Sequence, residues 1–157
     1  MPTEGDQAPT FTATEGTSDH NPFALEETLG DGPVVLAFFP GAFTPPCTNE
    51  MVTLQDHIDT FRQRDATVIG ISADSPFTLD AFREAHGLEF DLVSAMSREP
   101  LRAYELEIDL PDLGLYGVAN RAIYVLDEDG IIRYRWTATD PTNEPAYDEV
   151  LAAVDGL

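Results

Sequence analysis

VVLAFFPGAFTPPCTNE, from Val34 to Glu50, decides the fold because its pattern changes in the middle. Val34 to Phe39 is an unbroken apolar run of β-branched and aromatic residues, which predicts a strand buried on both faces. Pro40 and Gly41 stop it. Beyond them Met51, Leu54, Ile58 and Phe61 recur at offsets of three and four, the apolar stripe of an amphipathic helix. Thr44 suits the N-cap of that helix and Pro45 its first position. Cys47, the only cysteine in the chain, is then the third helical residue, with its amide pointing toward the threonine oxygen. A sulfur placed there lies in the positive field of a helix N-terminus, which favours a thiolate over a thiol. A lone cysteine has a second physical reading, as a small apolar filler, because free cysteine is among the most buried residue types. Position alone leaves both open, although a helix start after a buried strand is also a usual ligand site in α/β folds.

Outward from this junction the chain alternates between the two periods. A strand is expected near Phe11 to Ala13, followed by a loop rich in Gly, Ser, Asp and Pro. After the Cys47 helix come a strand from Thr67 to Ser72 and a helix from Pro76 through Ala85 with Phe77, Leu79 and Phe82 as its apolar members. A short strand at Phe90 to Val93 and a brief helix around Pro100 to Tyr104 precede a strand from Ala122 to Leu126. Asp127, Glu128, Asp129 and Gly130 carry an Asp-Gly hairpin signal and lead into Ile131 to Trp136. A final helix is expected from Glu144 to Val154. The pattern predicts an α/β fold with a mixed central sheet flanked by helices on both faces. The length of 157 residues fits a single domain, 1–157, without internal repeats.

The charge balance is extreme. All eight basic residues are arginine, against 29 acidic residues, for a net charge of −21. Such a field opposes nucleic acid and anionic membrane surfaces as partners. It also opposes compaction at low salt, whereas at molar salt the Debye length falls to about 3 Å and the repulsion is screened. A halophilic source is the natural expectation. One cysteine excludes an intrachain disulfide, and no apolar run approaches the roughly 20 residues of a membrane span. The N-terminal MPTEGDQAPTFTATEG has neither a basic region nor an apolar core, so no signal peptide is expected and the location is expected to be cytoplasmic.

The run Pro40, Gly41, Ala42, Phe43, Thr44, Pro45, Pro46, Cys47 resembles the P-x-x-x-T-x-x-C signature of the peroxiredoxins. NRAIYVLDEDGIIRY, Asn120 to Tyr134, is similar to the arginine-bearing strand and hairpin of the same family. The order of segments agrees from about Gly5 to the C-terminus. The wording FFP-x-AFT-x-x-C is nearest to the one-cysteine, alkyl hydroperoxide reductase E-like and bacterioferritin comigratory protein-like members. The resemblance implies a thioredoxin-like fold and a thiol-dependent peroxidase in which Cys47 attacks the terminal oxygen of a peroxide and becomes a sulfenic acid. It further implies that Thr44 supplies a hydroxyl to the reacting oxygens together with amides of the first helical turn, that Pro40 shields the thiolate, and that Arg121 stabilises it and orients the peroxide. Arginine suits that role as a permanently charged, planar, multi-donor group. Glu50, one turn after Cys47, falls where the family often has a positioning carboxylate, and in so acidic a chain it reads equally well as a solvated surface residue. Ala42, Phe43 and Leu115 or Tyr116 are expected to line an apolar approach. With no second cysteine, an external thiol or redoxin must reduce the sulfenic acid. A homodimer or higher homo-oligomer is expected by resemblance.

Other chemistry finds little support. His20, His57 and His86 are far apart and give no zinc-ligand spacing, and DEDG already explains a turn, its glycine falling too early for a calcium loop. No glycine pattern suits a phosphate, so cofactor-free chemistry is expected. A thioredoxin-fold binding or redox-sensing protein without turnover is one alternative. A cysteine hydrolase or transferase is another, and needs a base beside the sulfur, a role that His57, ten residues on and across the helix from Cys47, does not suit.

Overall fold

The computed structural model describes every residue from Met1 to Leu157. Along the chain it forms β1 (Thr12–Glu15), β2 (Pro22–Ala24), α1 (Leu25–Thr28), β3 (Val34–Phe38), α2 (Pro45–Asp56), α3 (Ile58–Gln63), β4 (Thr67–Ser72), α4 (Pro76–His86), β5 (Asp91–Ser94), α5 (Glu99–Ala103), β6 (Glu107–Leu110), β7 (Leu115–Ala119), β8 (Ala122–Leu126), β9 (Ile132–Thr137) and α6 (Tyr147–Asp155). Seven strands make one mixed sheet in the order β2-β1-β5-β4-β3-β8-β9, and β6 pairs with β7 outside it. β3 lies parallel to β4 and antiparallel to β8.

The apolar run of β3 is uninterrupted because both of its faces are covered. Val34, Leu36 and Phe38 enter one core with Leu25 of α1, Leu101 of α5 and Tyr104. Val35, Ala37 and the following Phe39 enter the other, with Met51 and Leu54 of α2, Phe61 of α3, Phe82 of α4 and Val150 of α6. Two helical layers therefore sandwich the sheet. Gly70, in the middle of β4, lets α2 and β5 close on the strand: a Cβ there would stand 2.5 Å from Leu92 and 3.3 Å from the Met51 sulfur. No helix is long and apolar enough to cross a membrane.

Several expectations are corrected in detail. The stripe from Met51 to Phe61 is buried throughout, but the helix breaks at His57 and resumes as α3. Phe77 is 69% exposed and stacks on His20 at 4.4 Å, because it lies about 200° around the helix from the sheet-facing Leu79. The final helix starts at Tyr147 rather than Glu144. β2 and α1 fall in the expected loop, being too short to show a period. β6 and β7 were also not expected, since they pair outside the main sheet and most of their residues remain partly exposed.

Candidate functional site

Sheet register assembles the site. Phe38, the last residue of β3, pairs with Ala122, the first of β8, so Arg121 arrives beside the chain as it leaves β3 for α2. Alternation puts Arg121 on the same face as Ile123 and Val125, the face whose core also holds Cys47 and Met51. Residues 74 apart in sequence thereby meet: Arg121 Nη2 donates to Cys47 Sγ at 3.2 Å. Its Nη1 donates to Glu50 Oε2 at 3.2 Å, and its Nε to the Pro141 carbonyl at 3.0 Å. All three side chains are buried, Cys47 at 1% exposure, Glu50 at 0% and Arg121 at 1%. Glu50 is therefore no solvated surface residue.

Asn120 sets the start of β8. Its amide N–H donates to Leu106 O, its side-chain nitrogen to Ala138 O, and its Oδ1 accepts from the Arg121 N–H. Asp74, just past β4, holds the other wall of the site: its Oδ2 accepts from the Ala42 N–H at 2.8 Å and the Ser72 hydroxyl at 2.7 Å. This fixes the loop from Pro40 to Thr44, in which Phe43 takes a left-handed φ of 68°. The sequence reading missed both residues. Their signal was position, Asp74 beyond the carboxyl end of a parallel strand and Asn120 directly before the arginine.

Thr44 stands at the N-cap with an extended backbone, but its hydroxyl caps no amide. It donates instead to Gly41 O at 2.9 Å, so what it offers a ligand is an acceptor lone pair, not the donor the sequence suggested. The expected set of helical amides also narrows. Pro45 and Pro46 have no N–H, and Thr48 N–H is bonded to Thr44 O, which leaves the Cys47 amide without an intramolecular partner. Pro40 is buried and, with Thr44, lines a groove that also includes Ala42, Leu115 and Tyr116. Phe43 turns away from that groove, 53% exposed and packed on Phe82 and His86, which corrects its expected place in the approach. His57 closes the far end of α2, about 15 Å from Cys47 by helical rise, and is no base for the sulfur. No three His, Cys, Asp or Glu side chains converge as a metal site.

Electrostatically the three buried groups form one unit. Burial works against the Arg121 charge, but Glu50 and Cys47 outweigh it and hold the guanidinium above its ordinary value. Burial pushes the Glu50 carboxyl up to about 7 against the pull of Arg121, and Glu144 adds to the rise. Glu50 Oε1 has no hydrogen-bond partner within the protein.

The chain matches the model described as the AhpC/TSA family over residues 4–135. A thiol peroxidase of Vibrio cholerae is 31% identical over 154 residues, 98% of this chain and 91% of that protein. A putative peroxiredoxin of Mycobacterium tuberculosis is 38% identical over 132 residues, 83% of this chain and 82% of that one. The crystal structure of peroxidoxin BcpB from M. tuberculosis superposes with a TM-score of 0.88 at 26% identity, covering 100% of this chain and 99% of that one. The fold is accordingly the thioredoxin-like fold of the peroxiredoxins, and a cysteine at the helix start under an arginine fits that class. The chain belongs to the AhpC/TSA family.

The raised Glu50 carboxyl has a stability consequence. Because its folded value lies above the ordinary 4.5, its contribution is fully present below about 4.5 and is lost as pH rises through about 7. Glu50→Gln keeps an acceptor for Arg121 and removes the titration. The variant is expected to flatten the decline of the melting temperature between about pH 5 and about pH 8 in scanning calorimetry. An unchanged slope would mean that Glu50 does not titrate in that window.

Proposed function

We propose that this thiol-dependent peroxidase works by a one-cysteine mechanism in which Cys47 is the reacting group and Arg121, Thr44, Pro40 and Glu50 serve it. The observation that carries the reading is the 3.2 Å contact between Arg121 Nη2 and Cys47 Sγ, a fixed cation on a sulfur at a helix start. A guanidinium there stabilises the thiolate, which is the nucleophilic form. The thiolate attacks the terminal oxygen of a hydroperoxide, a sulfur–oxygen bond forms, and the O–O bond breaks. The alkoxide or hydroxide that departs takes up a proton and leaves as alcohol or water. Charge developing on that oxygen is met by the guanidinium and by the Cys47 amide, donors already in place before reaction. The Thr44 oxygen accepts the peroxide O–H and holds the O–O axis in line with the sulfur. Pro40, buried just after β3, is assigned the role of shielding the sulfur, and Glu50 that of positioning the guanidinium through Nη1 without touching substrate.

The product is a sulfenic acid at Cys47. No second cysteine exists in the chain to condense with it. Two external thiols close the cycle: the first forms a mixed disulfide and releases water, and the second releases the Cys47 thiol and leaves an external disulfide.

Cys47→Ser is expected to abolish peroxide consumption, and retained activity would remove the proposal. Arg121→Ala is expected to slow oxidation of the protein by about two orders of magnitude or more, followed by Trp136 fluorescence in stopped flow. A rate within twofold of wild type would take the arginine out of the site. The charge of −21 carries a further part of the reading, adaptation to a salty cytoplasm. The melting temperature is expected to rise between dilute buffer and about 1 M KCl; a flat or falling profile would argue against that adaptation.

A further inference from the structure

The groove beside Pro40 and Thr44 has a volume of about 440 Å³ and reaches from Ala42 past Leu115 and Tyr116 to Arg98. Hydrogen peroxide needs little more than the space of a water molecule, roughly 30 Å³. The groove is therefore oversized for the smallest substrate, and its walls mix apolar surface with two charged residues, Asp74 and Arg98. Oδ2 of Asp74 is already bonded to the Ala42 amide and the Ser72 hydroxyl. Arg98, like Arg83 and Arg135, has no carboxylate within 4 Å, whereas Arg62, Arg64, Arg102, Arg121 and Arg133 each have one. Of these three unpaired arginines only Arg98 lines the groove.

Arg98 is nevertheless held in place. Its Nε donates to the Gly117 carbonyl at 3.1 Å and its Nη1 to the Met96 carbonyl at 2.7 Å, while Nη2 has no intramolecular partner. Two carbonyl contacts fix the plane of the guanidinium without an ion pair, while Asp109 Oδ1 accepts from the Gly117 N–H at the same turn. Arg98 is half-buried and adopts a left-handed φ of 66°, a backbone state that side chains other than glycine rarely take. Glu107 approaches the same turn at Gly117, but Arg102 holds it through contacts of 3.3 and 3.2 Å.

We propose that Arg98 is a specificity-determining residue that binds the carboxylate of organic hydroperoxides carrying an acid group, with their carbon skeleton lying along Leu115, Tyr116 and Ala42 and the –OOH end at Thr44. The inference rests on the peroxidase reading above. The chemistry at Cys47 is unchanged: the terminal oxygen passes to sulfur, the O–O bond breaks, and the protonated leaving group is a hydroxy acid whose carboxylate has not reacted. Arg98 contributes binding and orientation alone, through a charge-assisted hydrogen bond at one end of a substrate whose other end reacts. A local cation also offsets the repulsion that a chain of −21 exerts on any anion.

Linoleic acid hydroperoxide and its methyl ester share one skeleton and differ in that charge, so their second-order rate constants for oxidation of Cys47, measured below the micellar concentration, test the proposal. Wild type is expected to favour the acid by about tenfold, Arg98→Gln to bring the two within about twofold, and Arg98→Lys to retain part of the preference. Equal rates for acid and ester in wild type would overturn it, a result that needs no variant to fold. So would an Arg98→Gln variant that keeps the preference, or one that slows hydrogen peroxide as much as the acid, which would mark a structural role. If wild type is not oxidised even by hydrogen peroxide, the peroxidase reading itself fails. Reaction with hydrogen peroxide without preference for the acid removes only the role of Arg98.

Discussion

Arg121 carries a full charge at 1% exposure, and a guanidinium so placed is tolerable only while its donors are occupied and its charge is answered. Cys47, Glu50 and the Pro141 carbonyl each take one of its nitrogens. Much of the surrounding structure serves that arrangement. The pairing of β3 with β8 brings the arginine to the helix start, Asn120 fixes the first residues of β8, and the chain beyond β9 returns to place Pro141 over the guanidinium. Truncating the arginine would leave a buried carboxylate without its partner and a buried sulfur without its cation.

Burial raises Glu50 against the pull of the guanidinium, while the two acids beside it hold the arginine protonated. Cys47 and Glu50 share the donors of one guanidinium, and in the proposed mechanism the carboxyl acts through Arg121 rather than by contact with substrate. Its titration near 7 links stability to the same group. Around this unit the donors are few. Two prolines remove the first amides of α2, and the Thr44 hydrogen is directed to Gly41, so the Cys47 amide and the guanidinium are the donors left beside the sulfur.

The parts of the fold that strong periodicity dictates were legible in the sequence. β4 and β8 lie where their apolar runs place them, and Cys47 is the third residue of its helix because Pro45 starts it. The arginine was legible through resemblance and through its parity with Ile123 and Val125, which puts it on the Cys47 face. The fate of Glu50 was not, because its burial against Arg121, with Glu144 and Tyr147 near enough to act on it electrostatically, rests on tertiary contacts that no local pattern encodes. The Thr44 hydroxyl was misread for a related reason: a threonine before a helix usually caps it, and here the loop offers a nearer carbonyl. Asp74 and Arg98 act through loop backbones brought near by tertiary structure, so neither carried a spacing signal.

In the proposed mechanism Cys47 is oxidised by peroxide to a product that no second cysteine of the chain can resolve. The direct measurement is mass spectrometry of the reduced protein treated with an equimolar amount of hydrogen peroxide in the presence of dimedone, which traps sulfenic acids. A single dimedone adduct is expected, located on Cys47 and formed within seconds. A protein recovered with Cys47 as the free thiol would contradict it.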